Sequence, residues 1–435
     1  MIIRSSRRLN RTELNFWVMP NAGFATRPIL DQYIQEFEKR RPDVKVNLTI
    51  HPWSLSWNRL MDVIKGRFTG IPPDVVQIGT TWVATLAYLG ALDKIPQENV
   101  LPEEDKNSAY IWDPGAQSET GKELFCVPWF IDIRVLYYRK DLFQQLNIPV
   151  ESLFDWKGFS EACAEILKHL RRGGPVSNII APVAIPGQKL GVLMHDLAPW
   201  IWEAGGDFCS DDLMRGHFDD AATMRGCQFY FDLIQQGFMP LPANDLPQGN
   251  FFTGHYAMQF SGSWPVETYL NPNSQYCSRE VAENFAVALL PAGPQGRYTF
   301  LGGSNLAVSS VCQKTDLAWE FIHFLTEPSR QLEHAKAIGS LPARIASMEK
   351  LFDKHPEAKK VFWDSIGHAR RLPRLIPLGS VEQIISKMCG RLLALIRAGD
   401  YNHKRLQDQM QMVNDDINSV LSLHRYGSVP TEKVP

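Results

Sequence analysis

Apolar and polar positions along the first eighty residues change their period several times. Leu14–Met19 reads as a strand, and apolar residues then recur at helical spacing over residues 29–37. Residues 44–50 alternate as in a strand, helical spacing returns over residues 57–68, and residues 74–78 form a short apolar run. The pattern predicts the order β-α-β-α-β.

This order predicts a parallel sheet with right-handed crossovers and helices on both faces. Ligands of such sheets bind beyond the carboxyl ends of the strands. The loops that follow the three strands, residues 20–24, 51–56 and 79–82, are therefore candidate binding loops.

The rest of the chain continues to alternate between strand and helix patterns. A turn-rich stretch at residues 112–115 starts a second unit, with a predicted strand at residues 131–138. Helical spacing follows over residues 159–170, 221–235 and 316–325. One apolar helical stripe occupies the tail, and we expect it to dock onto its own domain in preference to forming a coiled coil; it consists of Leu406, Met410, Val413, Ile417 and Val420.

Size and composition narrow the class of protein. At 435 residues the chain has enough material for two or three domains, and 44% hydrophobic with 21% charged residues is typical of folded proteins. A formal charge of −2 gives no global attraction for nucleic acid, and no apolar run reaches the length of a membrane helix. The N-terminus is rich in arginine, but no apolar signal segment follows it.

Local signatures of catalysis and metal binding are lacking in the sequence. There is no phosphate-binding loop, no H-E-x-x-H, no G-x-S-x-G and no EF-hand loop, and the seven cysteines are scattered without a C-x-x-C pair. We therefore expect no cofactor, no metal and no catalytic residue.

Several tryptophans fall in predicted loops, where a binding role competes with simple packing. Trp53, Trp82, Trp129 and Trp264 each have proline, threonine or serine beside or close to them. A flat indole suits the apolar face of a sugar ring, and nearby hydroxyl groups suit its polar edge. The alternative is that these side chains fill domain interfaces. This explanation is as good as binding for any single tryptophan, but it is weaker for all four together.

Two groups of charged residues have competing explanations. Asp132 and Arg134 share one face of the predicted strand, where they could grip sugar hydroxyls or form a structural ion pair. Glu203 and Asp207 flank a glycine turn and could act as a glycosidase pair, although a spacing of four residues is not diagnostic.

The order and spacing of several loose motifs resemble the extracellular solute-binding proteins of bacterial ABC importers, in the sugar-binding family that includes the maltose-binding protein. The resemblance extends over roughly residues 13–425. It is carried by Leu14–Trp17, Glu36–Val46, Pro73–Gln77, Leu89–Leu92, Val127–Trp129, Leu136–Phe143, Gly302–Asn305, Ala318–Ile322 and Leu341–Arg344.

The resemblance implies a two-lobed α/β fold, each lobe a mostly parallel sheet flanked by helices, with a ligand cleft between lobes that close by a hinge motion. The N-terminal lobe would hold residues 1–113 and 300–338, and the C-terminal lobe residues 114–299 and 339–435. The implied function is capture of a sugar or sugar-like solute for a membrane permease and its ATPase. A carbohydrate-active enzyme using the same aromatic cleft is the alternative.

The resemblance also implies a location, an assembly state and a binding site. We expect a periplasmic or extracytoplasmic monomer with no nucleic-acid partner. A neutral sugar is favoured as the ligand on a separate ground, because Asp132 would repel a phosphate if it faced the same site. The expected ligand contacts are Trp53, Thr80, Thr81, Trp82, Trp129, Asp132, Arg134, Trp200, Glu203, Asp207, Ser263, Trp264, Gly303, Ser304, Asn305 and Arg344.

Overall fold

A computed structural model of the chain describes residues 11–21, 26–96, 124–172, 178–184, 193–241, 250–268, 270, 277–351 and 355–427. The chain divides into two compact units: unit 1 comprises Met1–Ile131 and Gly303–Leu351, and unit 2 comprises Asp132–Gly302 and Phe352–Pro435. The sequence signals at residues 1–10 and 112–115, and the predicted lobe boundary between residues 113 and 114, lie outside the described residues. The predicted lobe limits stay a prediction.

Strands and helices alternate along the described part of the chain. The strands are β1 Thr12–Val18, β2 Val44–Ile50, β3 Val75–Gly79, β4 Val127–Ile133, β5 Val135–Arg139, β6 Ala181–Ala184, β7 Tyr256–Ser261, β8 Phe285–Ala288, β9 Thr299–Val308, β10 Leu341–Pro342 and β11 Ala369–Arg370. The helices are α1 Thr26–Arg40, α2 Trp53–Ile64, α3 Val83–Tyr88, α4 Lys140–Gln145, α5 Trp156–Arg171, α6 Met194–Glu203, α7 Ala221–Gln235, α8 Trp264–Thr268, α9 Arg279–Asn284, α10 Thr315–Leu325, α11 Pro328–Ile338, α12 Ile345–Met348, α13 Pro356–Ile366, α14 Leu378–Ala398 and α15 His403–Gly427.

Unit 1 is built on a sheet with the strand order β10-β4-β9-β3-β1-β2. The predicted β-α-β-α-β order is present, and β1 pairs in parallel with both β2 and β3. β9 then adds to β3 in the antiparallel direction, with Asn305 opposite Ile78 and Ser304 opposite Gly79. The carboxyl ends of β1 and β3 therefore meet the Gly303–Asn305 segment of β9.

Both faces of this sheet are buried, because alternate side chains of each strand enter different cores. Phe16 and Val18 pack with apolar residues of α1 and α10 on one face. Trp17, Val76 and Ile78 pack on the other face with apolar residues of α2 and α3. A strand buried on both sides needs a nearly continuous apolar sequence, which explains the short run at β3.

Unit 2 contains a smaller sheet with the order β6-β7-β5-β8. β5 pairs antiparallel with β7 and with β8, and β6 pairs in parallel with β7, so this sheet is mixed where a mostly parallel one was predicted. Long connections with several helices separate these strands, and such connections permit either strand direction. The predicted strand over residues 131–138 is also two strands, because β4 ends at Ile133 and β5 begins at Val135.

The tail forms two long helices, α14 and α15, that pack into the core of unit 2. The predicted stripe is largely on the buried side of α15, with Ile417 fully buried. Polar residues of the same helix hold a neighbouring loop: the side-chain oxygen of Asn418 accepts from the Gly216 N–H, and that of Asn414 accepts from the Phe218 N–H. The stripe is therefore a docking surface for its own unit. Of the helices within the described ranges, none is both long and apolar enough to span a membrane.

Candidate functional site

A buried side-chain amide in β3 joins three segments at one edge of the unit 1 sheet. The Gln77 Oε1 atom accepts from the Met19 N–H at 2.9 Å, while its Nε2 atom donates to Asn21 Oδ1 at 2.8 Å and to Ser304 Oγ at 2.9 Å. Ser304 was among the predicted contacts, but Gln77 and Asn21 were not. A lone glutamine inside an apolar strand is the signal that could have identified this network.

Two further amides at this edge have buried nitrogens without a hydrogen-bond partner among the described residues. They belong to Asn21 and to Asn305, whose side chain is 2% exposed. Because Ala307 lies in the core on the α2 and α3 face of the sheet, the alternation along β9 places Asn305 on that same face. Two amide donors are thus available for hydrogen bonds at the carboxyl ends of β1 and β3.

An aromatic cluster lies on the same face as Asn305. Trp82, in the 3₁₀ turn Thr80–Trp82 that directly follows β3, has its ring 6.2 Å from that of Trp53 and 5.5 Å from that of Trp57, both in edge-to-face geometry. Trp53 is 42% exposed, and its indole N–H donates to the Pro20 carbonyl at 3.1 Å. Tryptophan contacts therefore join the segments that follow β1, β2 and β3, which are the candidate binding loops named from the sequence.

Other predicted residues of unit 1 are buried. Trp129 is 1% exposed, and its ring stacks on that of His334 with the centroids 4.2 Å apart. Arg344 is also buried, and its backbone N–H donates to the Gln331 side chain at 3.1 Å. Gly303 has φ +143°, and a Cβ atom there would lie 2.3 Å from the Phe130 carbonyl oxygen, so this position needs glycine for close strand packing. The ligand contacts predicted for these three residues stay predictions.

In unit 2 the predicted residues Asp132, Arg134, Ser263 and Trp264 come together. Arg134 Nη2 lies 3.0 Å from Asp132 Oδ2, and both side chains are partly exposed. A Cβ atom on Gly262 would lie 2.3 Å from Asp132 Oδ1 and 3.1 Å from the nearest atom of the Trp264 ring. Glycine at this position therefore permits a carboxylate and an indole to approach the same piece of backbone.

The carboxylates of Glu203 and Asp207 are held by protein donors. Glu203 is fully buried and accepts from Trp156 Nε1 at 2.8 Å and from the Tyr298 N–H at 3.3 Å. Burial raises the pKa of Glu203 well above its usual value, and the bond from Trp156 opposes this rise. Asp207 is paired with Arg370 and accepts from Trp202 Nε1 at 3.2 Å.

Both carboxylates thus have hydrogen-bond partners within the protein. A glycosidase pair must reach the scissile bond from two sides, and a fully buried Glu203 presents no surface to a substrate. Trp200, 2% exposed, is likewise part of the unit 2 core. Contacts of Trp200, Glu203 and Asp207 with a ligand stay predictions.

No metal centre is formed within the described ranges, where no group of three or more histidine, cysteine, aspartate or glutamate side chains could hold an ion. All seven cysteines are buried. Burial raises the pKa of Cys163 and Cys227 well above the ordinary thiol value, so these two remain protonated at neutral pH.

Comparison with known proteins gives consistent matches. A family model described as bacterial extracellular solute-binding protein matches residues 32–360. The diacetylchitobiose binding protein DasA of Streptomyces coelicolor is 25% identical over 350 residues, which cover 78% of this chain and 75% of that protein. A probable ABC transporter-binding protein of Deinococcus radiodurans is 27% identical over 239 residues, so this match spans about half of each protein, 53% in both cases.

Among solved structures, the sugar-binding protein MalE from the phytopathogen Xanthomonas citri matches with a TM-score of 0.76 at 22% identity, covering 97% of this chain and 100% of that one. At this identity the likeness concerns the fold. The α/β class and the two-lobed architecture predicted from the sequence are thereby confirmed.

Proposed function

The chain belongs to the bacterial extracellular solute-binding protein family, and we propose that it captures a neutral sugar or sugar-like solute and delivers it to an ABC permease. The permease and its ATPase partner would supply the energy of transport, since capture itself requires only reversible binding. The family also supports a periplasmic or extracytoplasmic location. A monomer without a nucleic-acid partner remains part of this proposal.

The arrangement at the edge of the unit 1 sheet is the observation that carries this proposal. It combines an exposed indole at Trp53, a partly exposed one at Trp82, and the buried amide nitrogens of Asn21 and Asn305, which have no partner among the described residues. Indole faces pack against the C–H face of a sugar ring, and amide N–H groups donate to hydroxyl or ring oxygens. Buried donors without a partner are costly, and a polyhydroxylated ligand would satisfy them.

The charges at the unit 2 site favour a neutral ligand. The guanidinium of Arg134 already has a counter-charge in Asp132 at 3.0 Å. A phosphate would have to approach the Asp132 carboxylate or displace it from Arg134, and either change carries an electrostatic cost. The hydroxyl groups of a sugar can instead donate to the carboxylate and accept from the guanidinium without separating them.

The relatives support a binding role over the enzyme alternative. The names of DasA and MalE describe binding proteins for sugars, and the matched family is one of binding proteins. The burial of Glu203 agrees with this preference, because it leaves one member of the possible glycosidase pair inaccessible to a substrate.

A thermal-shift screen followed by calorimetric titration tests the proposal. The panel contains mono-, di- and trisaccharides, amino sugars, polyols and glycerol phosphates, and every positive sample is analysed for cleavage products. We expect a neutral sugar to raise the melting temperature with the logarithm of its concentration and to be recovered intact. A cleaved ligand would establish the enzyme alternative, and stabilisation by glycerol phosphates alone would refute a neutral ligand.

Two tryptophan variants locate the site. Trp53→Ala should weaken binding by more than about 1 kcal/mol, since it removes a stacking surface. Trp363→Ala is the matched control, because Trp363 on α13 has nearly the same exposure, 40% against 42%. Equal affinities for both variants would remove Trp53 from the site.

A further inference from the structure

Unit 2 contains a small cavity lined in part by Arg134, the partner of Asp132. Its volume is about 20 Å³, above the roughly 10–15 Å³ needed for one water molecule. Most of the wall is apolar, from residues such as Trp200, Phe260 and Leu290. Four polar side chains also line it, namely those of Arg134, His195, Asp196 and Tyr230.

Two of these four side chains bring hydrogen-bond donors that no described protein group accepts from. Tyr230 is 2% exposed, and its hydroxyl group is buried without a partner. The Nε atom of Arg134 is also buried without a partner among the described residues, although Nη2 of the same guanidinium is paired with Asp132. Buried donors left unsatisfied are costly, so two at one cavity call for an acceptor within it.

The other two side chains offer acceptors. The Asp196 side chain is 8% exposed; its Oδ2 atom accepts from the Leu193 N–H at 3.2 Å, and its Oδ1 atom lies 3.5 Å from His195 Nε2. Burial lowers the pKa of His195, with Asp196 opposing this shift, so the imidazole is neutral at pH 7 and one of its ring nitrogens can accept. Burial raises the pKa of Tyr230 well above its usual value, and the nearby Asp196 adds to this rise.

We propose that this cavity binds one water molecule, which accepts from Tyr230 and Arg134 Nε and donates to Asp196 and His195. Two donors and two acceptors match the four hydrogen bonds of a water molecule, and sites of this kind usually provide two to four. The water holds the inner edge of the Arg134 guanidinium, while Asp132 holds its outer edge. Tyr230 is therefore a positioning residue for the ligand-binding pair, a role that rests on the proposed function.

The hydration site is tested first on the unliganded protein. A crystal structure at better than 1.5 Å should show one ordered water within hydrogen-bond distance of Tyr230 Oη and Arg134 Nε. The same structure of Tyr230→Phe should lack it or show it displaced. A cavity that is dry or filled by a side chain in the wild-type crystal overturns the inference, whether or not the protein binds a sugar.

The positioning role is tested by affinity for the sugar identified in the screen. Tyr230→Phe should bind it three- to tenfold more weakly, whereas Tyr33→Phe, which alters a buried tyrosine of unit 1 that donates to the Arg330 carbonyl, should leave affinity unchanged. The double variant Tyr230→Phe with Arg134→Lys should bind no more weakly than Arg134→Lys alone, because both changes break one network. Additive losses would show that Tyr230 acts independently of Arg134 and would overturn its positioning role.

Discussion

Acid should destabilise unit 1 through one buried imidazole, His334. This side chain is 1% exposed, and neither ring nitrogen has a hydrogen-bond partner among the described residues. It is enclosed by the rings of Trp129, Phe130 and Tyr33, and burial lowers its pKa from 6.5 to about 3. As the pH falls, His334 is therefore protonated near pH 6.5 in the unfolded chain, but only near pH 3 in the folded protein.

The sign and size of the effect follow from this difference in pKa. The stabilising contribution is complete above pH 6.5 and is lost as the pH falls toward 3, because over that interval protons bind to the unfolded state more than to the folded state. The loss amounts to about 2 kcal/mol at pH 5 and about 4 kcal/mol at pH 3, with a limit of about 5 kcal/mol at still lower pH. Such values are a large part of the stability of an ordinary domain.

Urea unfolding at pH 7.5 and at pH 5.0 measures this contribution. His334→Phe keeps a ring against Trp129 but cannot bind a proton, so its loss of stability between the two pH values should be about 2 kcal/mol smaller than that of the wild type. His334→Leu provides a second test if the larger ring does not fit. His403→Gln is the control, because His403 is exposed on α15. The reasoning is refuted if wild type and both His334 variants lose the same stability on acidification.

Two further predictions concern packing. Gly303→Ala should lower the free energy of unfolding by about 2 kcal/mol or more, because its Cβ would lie 2.3 Å from the Phe130 carbonyl oxygen. Gly379→Ala is the control, because its Cβ would meet nothing within 4 Å, and it should not lower stability. Equal melting temperatures for the two variants would contradict this prediction. Ile417→Ala should lower the free energy of unfolding by about 2–4 kcal/mol in urea unfolding, because it leaves a buried cavity in unit 2. Met412 is 48% exposed on the same helix, so Met412→Ala should cost less than about 0.5 kcal/mol. A small loss for Ile417→Ala would show that α15 is not part of the core.

The parts of the fold that the sequence predicts well are those where one local pattern has one physical meaning. Residues 44–50 and 221–235 carry the periods of a half-buried strand and an amphipathic helix, and the structure has β2 and α7 at these same bounds. The predicted strand at residues 131–138 was wrong as a single element. In the sequence, apolar and polar residues continue to alternate across Arg134. In the structure, Arg134 interrupts the hydrogen-bonded strand, and its carbonyl accepts from Thr299 Oγ1 at 2.7 Å, a residue distant in sequence.

The same limit explains which site residues were found. A buried polar side chain must have a partner, and the sequence shows the side chain but not the partner. Glu203 and Gln77 both lie among apolar residues. In the structure Trp156 and Tyr298 donate to Glu203. Gln77 instead donates to two neighbouring side chains, and the amide nitrogen of one of them, Asn21, has no acceptor within the described part of the chain. In the sequence, the charged Glu203 is the more conspicuous of the two residues. Only the distribution of unsatisfied donors makes Gln77 the better guide to a binding site, because a ligand binds where the protein leaves hydrogen bonds unmade.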